Sequence, residues 1–256
     1  MSQSAWPRPL FTEGGGELTV SFVVYAPHLL TWDFTLFEEG SPVRALPEGF
    51  GVQLFARAEA PEFAEWADAL VGGSDAPQAE QLGAAQVWYD VGGRCASTPD
   101  LSALQAAWAV VRVLCRAGAT GVWDSLAMRW TLAAEVIAAD PAQPELAAAW
   151  EVNAGELEGV PGAEPLWMVH TLGLAKFGRR DLLAFGPERN VGFLRELLAG
   201  VAIDLIEGAV LDAGARVEKA GVRLEAEGYA PDFNGPDVPV PFFEQPLLLR
   251  PVAVDG

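Results

Sequence analysis

Residues 165–186 read Pro-Leu-Trp-Met-Val-His-Thr-Leu-Gly-Leu-Ala-Lys-Phe-Gly-Arg-Arg-Asp-Leu-Leu-Ala-Phe-Gly. Two apolar runs flank a Gly-Arg-Arg turn at 178–180, so the stretch predicts a hairpin of two strands. An asparagine then caps a predicted helix over 190–211, which a long strand over 216–229 follows. A hairpin, a helix and a strand in this order indicate a sheet with a helix on one face.

The first half of the chain mixes strand and helix signals. Strands are predicted at residues 17–25, 31–38, 51–57, 84–91 and 119–123, helices at 61–70, 98–118 and 124–139, and a polar loop at 72–83. Several neighbouring elements are joined by turns too short for parallel crossovers. We therefore predict the α+β class, with mixed or mostly antiparallel sheets and helices packed on one face. Two loosely related half-units would also fit this order.

A segment rich in Ala, Pro, Gly and Glu over residues 142–164 separates two halves. The predicted domains are an N-terminal α+β half at 1–141 and a C-terminal α+β half at 165–256, with 142–164 as the connection. The whole chain could equally be one domain, because Trp150 and its apolar neighbours could dock. The proline-rich tail ends in apolar residues, so we expect an extended strand along a sheet edge, where proline is tolerated.

The charge is strongly acidic, with 35 acidic and 16 basic residues and a net charge of −19. Such a field repels nucleic-acid phosphates and anionic membranes, so direct binding to either is not expected. It suits a basic protein partner, although the same charge also serves solubility alone. Hydrophobic residues make up 51% of the chain, which excludes a disordered protein.

Cys95 and Cys115 are the two cysteines, and their spacing defines neither a metal site nor a disulfide framework. Residues 1–9 lack the basic segment and apolar run of a secretory signal. No apolar run approaches the ~20 residues that cross a bilayer. These features predict a cytoplasmic protein with free thiols. The oligomeric state stays open.

Histidine is scarce, since the chain has only His28 and His170. His170 lies in a predicted strand and Asp181 in the same hairpin, so a base oriented by a carboxylate is conceivable. With Asp124, these residues would form a hydrolase site in a cleft between the halves. The alternative is a half-buried strand histidine hydrogen-bonded to its neighbours. His28 is predicted to be a turn residue.

Arg179 and Arg180 could form an anion-binding site, or they could lie in a solvated turn. The oxygen-rich segment 232–244 has the wrong spacing for an EF-hand, and turn chemistry explains it. The sequence also has no phosphate-binding loop, no dinucleotide fingerprint and no nucleophile elbow. We therefore predict no metal and no cofactor.

The segment 171–182 resembles a hairpin motif of an uncharacterised bacterial domain family, roughly Thr-x-Gly-Leu-x-x-Phe-Gly-x-Pro-(Glu/Asp)-Leu. The Gly-Val-Trp-Asp at 121–124 is similar to a second unit of that family, and the resemblance covers about residues 84–227. The chain departs at Arg180, where the family has proline. The resemblance implies a fold and no activity.

Taken together, the sequence predicts a non-enzymatic, acidic protein-binding or regulatory module of the immunity or stress type. The alternative is the hydrolase with its site around His170.

Overall fold

The computed structural model describes residues 6–14, 16–31, 45–59, 76–141, 143–157, 164–230 and 245–252. Within these ranges the chain forms eleven strands in two sheets and four α-helices, which confirms the predicted α+β class. None of the described helices has the length and apolar character needed to cross a bilayer. The chain divides into two compact units, which comprise Met1–Pro7, Thr19–Cys95 and Asp100–Ala149 in the first, and Arg8–Leu18, Ala96–Pro99 and Trp150–Gly256 in the second.

The first unit is built on a five-stranded sheet. Its strands are β1 (Glu17–Ala26), β2 (Phe50–Ala56), β3 (Val87–Ala96), β4 (Gly121–Asp124) and β5 (Arg129–Leu132). They lie in the order β2-β3-β1-β4-β5. The β1–β4, β2–β3 and β4–β5 pairs are antiparallel. The helices of this unit are α1 (Ala76–Ala84), α2 (Ser102–Arg116) and α3 (Ala133–Ala138).

Both faces of this sheet carry aromatic side chains. On one face Trp108 of α2 packs edge-on against Phe22, with ring centroids 5.2 Å apart. The apolar spacing of α2 at three- and four-residue steps therefore does bury one side of the helix, as predicted. On the other face Tyr25 contacts both Trp88 and Trp130, at centroid distances of 6.2 and 5.4 Å.

Two predictions for this unit were wrong. The helix expected over 124–139 is a β4–β5 hairpin followed by the short α3. The reason is local, because the Asp124 carboxylate accepts the backbone N–H groups of Leu126 and Ala127, both at 3.0 Å, and so fixes a turn. The loop expected over 72–83 contains α1. The strand at 31–38, except residue 31, and the helix at 61–70 lie outside the described residues.

The second unit is built on a six-stranded sheet. Its strands are β6 (Glu151–Leu157), β7 (Leu166–Leu172), β8 (Leu182–Pro187), β9 (Arg216–Lys219), β10 (Val222–Gly228) and β11 (Leu247–Pro251). The order is β6-β7-β8-β11-β10-β9, with β8 and β11 parallel and all other neighbours antiparallel. The helix α4 (Val191–Ile206) packs closely on one face, since a Cβ on Gly186 would lie 2.9 Å from a methyl of Leu194.

Three connections in this unit differ from the prediction. The β7–β8 connection is longer than the Gly-Arg-Arg turn expected at 178–180, because it also contains a 3₁₀ turn at Leu174–Phe177, flanked by left-handed Gly173 (φ 101°) and Gly178 (φ 65°). The long strand expected over 216–229 is the β9–β10 hairpin, which turns at Ala220 (φ 51°) and Gly221 (φ 76°). Two successive positive φ angles are the geometry of a type I′ turn. The helix α4 ends at Ile206 rather than at residue 211.

The tail does form a strand, but β11 lies between β8 and β10 rather than at an edge of the sheet. Leu247, Leu248 and Leu249 are all buried. Because consecutive side chains of a strand point to opposite faces, the burial of all three shows that both faces of the sheet are covered at this strand. The segment 232–244, considered above for calcium, lies outside the described residues.

Candidate functional site

The polar residues of the segment 165–186 belong to a buried cluster in the second unit. We use "buried polar cluster" for the five residues Arg8, Thr171, Lys176, Arg179 and Asp181, all of which are buried. Such residues are seldom buried unless they are paired or hydrogen-bonded. The contacts of each residue therefore show what the cluster does.

Asp181 closes the β7–β8 connection. One oxygen of its carboxylate accepts the Thr171 hydroxyl at 3.0 Å and the Leu174 N–H at 3.2 Å. The Thr171 hydroxyl in turn accepts the N–H of Leu182 at 2.8 Å, so its proton is directed at Asp181. Burial raises the pKa of Asp181 to about 7, although these hydrogen bonds and the charge of Lys176 lower it.

Lys176 has no solvent-exposed surface at all, although it lies in the 3₁₀ turn between β7 and β8. Its ammonium group acts on Asp181 as a nearby positive charge. A positive charge nearby favours the ionised form of a carboxyl group. Lys176 therefore offsets part of the effect of burial on Asp181.

Arg8 joins the N-terminal segment to the rest of the unit. Its five N–H groups donate to one hydroxyl and four carbonyls, which belong to Ser97 (2.7 Å), Thr98 (3.4 Å), Phe177 (2.9 Å), Leu205 (3.2 Å) and Ile206 (3.1 Å). Burial, followed by the charge of Arg179, lowers the pKa of Arg8 to about 10. The side chain stays positively charged at neutral pH, and all of its donors are in use.

Arg179 caps the end of α4 from outside the helix. Its Nε and Nη2 donate to the carbonyls of Ala209 and Gly208, at 2.6 and 2.8 Å. The last turn of α4 has no basic residue and its C-cap is Glu207, which is unfavourable at the negative end of a helix dipole. Arg8 and Arg179 supply the positive charge that α4 itself lacks.

Arg180 holds the beginning of β11. Its Nε donates to the Gln245 carbonyl at 2.5 Å and its Nη2 to the Pro246 carbonyl at 3.3 Å. The two arginines considered as an anion-binding site thus direct their described hydrogen bonds to backbone carbonyls. This arrangement stabilises the fold, and it explains two adjacent arginines without a ligand.

His170 is buried in β7, opposite Asn153 of β6 and Leu183 of β8. Burial lowers its pKa to about 4, so the imidazole is neutral at pH 7. Consecutive side chains of a strand point to opposite faces of the sheet. Since Thr171 binds Asp181, His170 lies on the face opposite to the Asp181 carboxylate.

The third residue considered for a hydrolase, Asp124, belongs to the first unit. Its carboxylate caps the β4–β5 turn described above. The structure therefore gives each of the three candidate residues a separate setting, and the described contacts do not join them into a base and its orienting acid. His28 is exposed just after β1.

Within the described ranges, no group of three or more His, Cys, Asp or Glu side chains could hold a metal ion. Both cysteines are free thiols. Burial raises the pKa of Cys115 to about 12, so this thiol is a poor nucleophile.

The charged groups that the fold buries are mostly basic. In the described part of the chain they are the basic Arg8, Arg112, Lys176 and Arg179 and the acidic Asp124 and Asp181. Arg112 is used like Arg8, because it donates to the carbonyls of Val136 and Ala139 at the end of α3. Burial therefore removes more positive than negative charge from contact with water.

Many of the exposed basic groups are paired with carboxylates. The pairs on the second unit are Arg189–Glu164, Arg216–Glu225, Lys219–Asp204, Arg223–Glu218 and Arg250–Glu227. Such exposed pairs contribute about 0–1 kcal/mol each to stability. Their larger effect is electrostatic, because each pair neutralises a positive charge and leaves the other acids to set the sign of the surface.

Sequence reasoning missed Arg8 and Lys176. A weak signal existed for both, since Arg8 stands between two prolines and Lys176 is one of two lysines, set within an apolar run.

The chain matches no protein-family model, no curated protein and no solved structure.

Proposed function

We propose that this protein is a non-enzymatic acidic module that binds a basic protein partner in the cytoplasm, in a regulatory role of the immunity or stress type. The observation that carries the proposal is the charge distribution. The chain has a net charge of −19, and in its described part four basic but two acidic residues are buried. In the described part of the chain, the exposed charge is therefore more negative than the residues of that part alone imply.

A field of this sign favours one class of partner. It attracts positively charged proteins over distances up to the Debye length, about 8 Å at physiological salt, and it accelerates their association. It opposes binding of nucleic acids and anionic membranes, which we propose are not direct partners. The residues best suited to chemistry stabilise the fold instead, which agrees with a binding function.

The hydrolase alternative around His170 receives no support from the described contacts. A general base must reach the proton that it abstracts and is usually oriented by an acid. His170 and the Asp181 carboxylate point to opposite faces of one sheet.

The relation to the bacterial domain family also remains a proposal. Its motif has glycine at positions 173 and 178, and both residues here have positive φ angles, 101° and 65°. A backbone requirement for glycine would explain why the motif has glycine at these positions, without any catalytic role.

Affinity capture tests the proposed function. The immobilised protein is exposed to bacterial lysate at low salt, beside a column that carries an unrelated protein of similar net charge. We expect a basic protein on the first column alone, and the purified partner should then rebind with defined stoichiometry. The proposal is rejected if no protein distinguishes the two columns.

A further inference from the structure

The helix α4 is apolar around most of its circumference. Its 16 residues include three charged ones, Arg195, Glu196 and Asp204. A helix on the surface of a soluble protein normally has a polar outer side, whereas a helix that is apolar all round is covered on all sides. The composition of α4 is therefore typical of a helix whose outer side also makes contacts.

The inner side of α4 is accounted for by the sheet of the second unit. Its buried residues are Leu194, Leu197, Leu198, Val201, Ala202 and Leu205. On the outer side two large apolar residues remain exposed, Phe193 at 45% and Ile203 at 48%. They are ten positions apart, which is about 15 Å along the helix axis.

Two glutamates on the same side of the helix, one between these residues and one beyond Ile203, give the outer side its charge. At 3.6 residues per turn, Phe193, Glu196, Gly200, Ile203 and Glu207 fall within a sector of about 80°. The Lys219 side chain lies against Gly200, where a Cβ would be 2.9 Å from its Cε, so we call the other four residues the outward face of α4. The nearby Lys219 ammonium is paired with Asp204 at 2.6 Å, and Arg195 donates to the carbonyl of Val152. The outward face is thus apolar and negatively charged.

We infer that the outward face of α4 binds an amphipathic basic helix of the partner protein, an inference that rests on the proposed function. Phe193 and Ile203 would pack into the apolar stripe of that helix. Glu196 and Glu207 would pair with Lys or Arg residues that flank the stripe. Two apolar anchors with a carboxylate between them and a second one beyond Ile203 match this class of ligand.

A second copy of the chain is a poorer match. A symmetric dimer through this face would bring the Glu196 and Glu207 carboxylates of both copies into one interface. Two chains of net charge −19 also repel one another. The charge that favours a basic helix opposes self-association.

Binding of a designed peptide tests the inference. The probe is a helical peptide of about 18 residues made of Leu and Lys, with Leu at helical i, i+3, i+4 and i+7 spacing. A scrambled peptide of identical composition has the same charge without the apolar stripe. We expect the amphipathic peptide to bind the wild-type protein more tightly than the scrambled one.

Variants of the protein locate the binding surface. Phe193→Ser and Ile203→Ser should each weaken binding about fivefold, because each removes about half a side chain of apolar contact. Leu166→Ser is the matched control, since Leu166 is 44% exposed in the same unit, at the beginning of β7. This control should bind like the wild type. Thermal unfolding of each variant confirms that it is folded.

Three results would overturn the inference. If both peptides bind equally and the α4 substitutions have no effect, this surface is wrong while the basic-partner proposal stands. If neither peptide binds at low salt, the surface has no affinity for basic helices, and the captured partner alone decides the proposed function. If the wild type is a dimer that Ile203→Lys dissociates, a second copy occupies the face.

Discussion

Arg8 provides hydrogen-bond donors for the last carbonyls of α4, which has no basic residue in its own last turn. A guanidinium group carries five donors in a planar fork, so one side chain can satisfy several carbonyls that diverge from one another. Arg8 uses all five, and two of its acceptors, Leu205 and Ile206, belong to the last turn of α4. The same chemistry recurs in Arg112 and Arg179. Buried arginine is therefore a repeated means of holding carbonyls in this protein.

Replacing Arg8 should destabilise the protein strongly. Arg8→Met leaves several buried carbonyls without donors, at about 1–3 kcal/mol for each group that water cannot reach. Arg8→Lys keeps the charge with fewer donors and should lose less. Urea unfolding measures both, with Arg189→Gln as the control at an exposed arginine. A loss below about 0.5 kcal/mol for Arg8→Met would contradict this role.

Gly178 is needed for its backbone conformation. Its φ of 65° costs about 1–2 kcal/mol for a residue with a Cβ, and that Cβ would lie 2.7 Å from the carbonyl oxygen of Gly16. Gly178→Ala should therefore lower the free energy of unfolding by about 2 kcal/mol or more. Gly192→Ala is the control, because its Cβ would meet nothing within 4 Å, and alanine favours a helix. Equal stability of the two variants would rule out this explanation.

The β7–β8 hairpin carries two buried residues, His170 in β7 and Asp181 just before β8, that respond to pH in opposite ways. The pKa of Asp181 is about 7 in the folded protein, against 3.8 for the free group. The folded state therefore holds an extra proton between these values, and this contribution to stability falls as pH rises. The pKa of His170 is about 4, against 6.5, so its contribution is lost as pH falls through that range. Between about pH 4 and 6.5 the two effects oppose each other.

Single substitutions should separate the two contributions. Relative to the wild type, Asp181→Asn should gain stability as pH rises from about 4 to 7, because the falling contribution is gone. His170→Gln should lose stability with rising pH over about 4 to 6.5, relative to the wild type. Urea midpoints measured across this range give both slopes. Variant curves that run parallel to the wild type would show that neither group titrates as described.

Local patterns predicted several elements. The helix α2 follows from apolar residues at three- and four-residue steps, and the strands β1, β2 and β4 follow from short runs of β-branched, aromatic or apolar residues. The connections between these elements were harder to predict, because hydrogen bonds to particular partners determine their conformation. Asp124 binds the N–H groups of its own turn and makes a hairpin where a helix was expected.

The candidate site, too, could be predicted from the sequence only in part. Strand alternation alone places His170 and Thr171 on opposite faces, so part of the geometry could be predicted. The sequence could not indicate that Asp181 binds Thr171, nor that Lys176 is buried beside it. It also could not join Arg8 to carbonyls nearly 200 positions away. Burial of a charged group depends on partners that are remote in the chain.

For the molecule as a whole, the acidic charge follows from the composition, and in the described part the fold adds to it by burying more cations than acids. The chain has 16 basic and 35 acidic residues. In the described part, four basic and two acidic residues are buried. Several exposed cations are then neutralised by carboxylates on neighbouring strands. The same arginines that stabilise each unit thereby leave an acidic surface, so stability and the proposed binding function have a common origin.

The salt dependence of partner binding tests this account most directly. The basic protein captured from lysate is titrated against the wild-type protein by calorimetry, from about 0.05 to 0.5 M salt, over which the Debye length falls several-fold to about 4 Å. We predict that the dissociation constant rises steeply and continuously over this range. An affinity that does not change with salt, or a partner without excess positive charge, would contradict an acidic surface as the basis of binding.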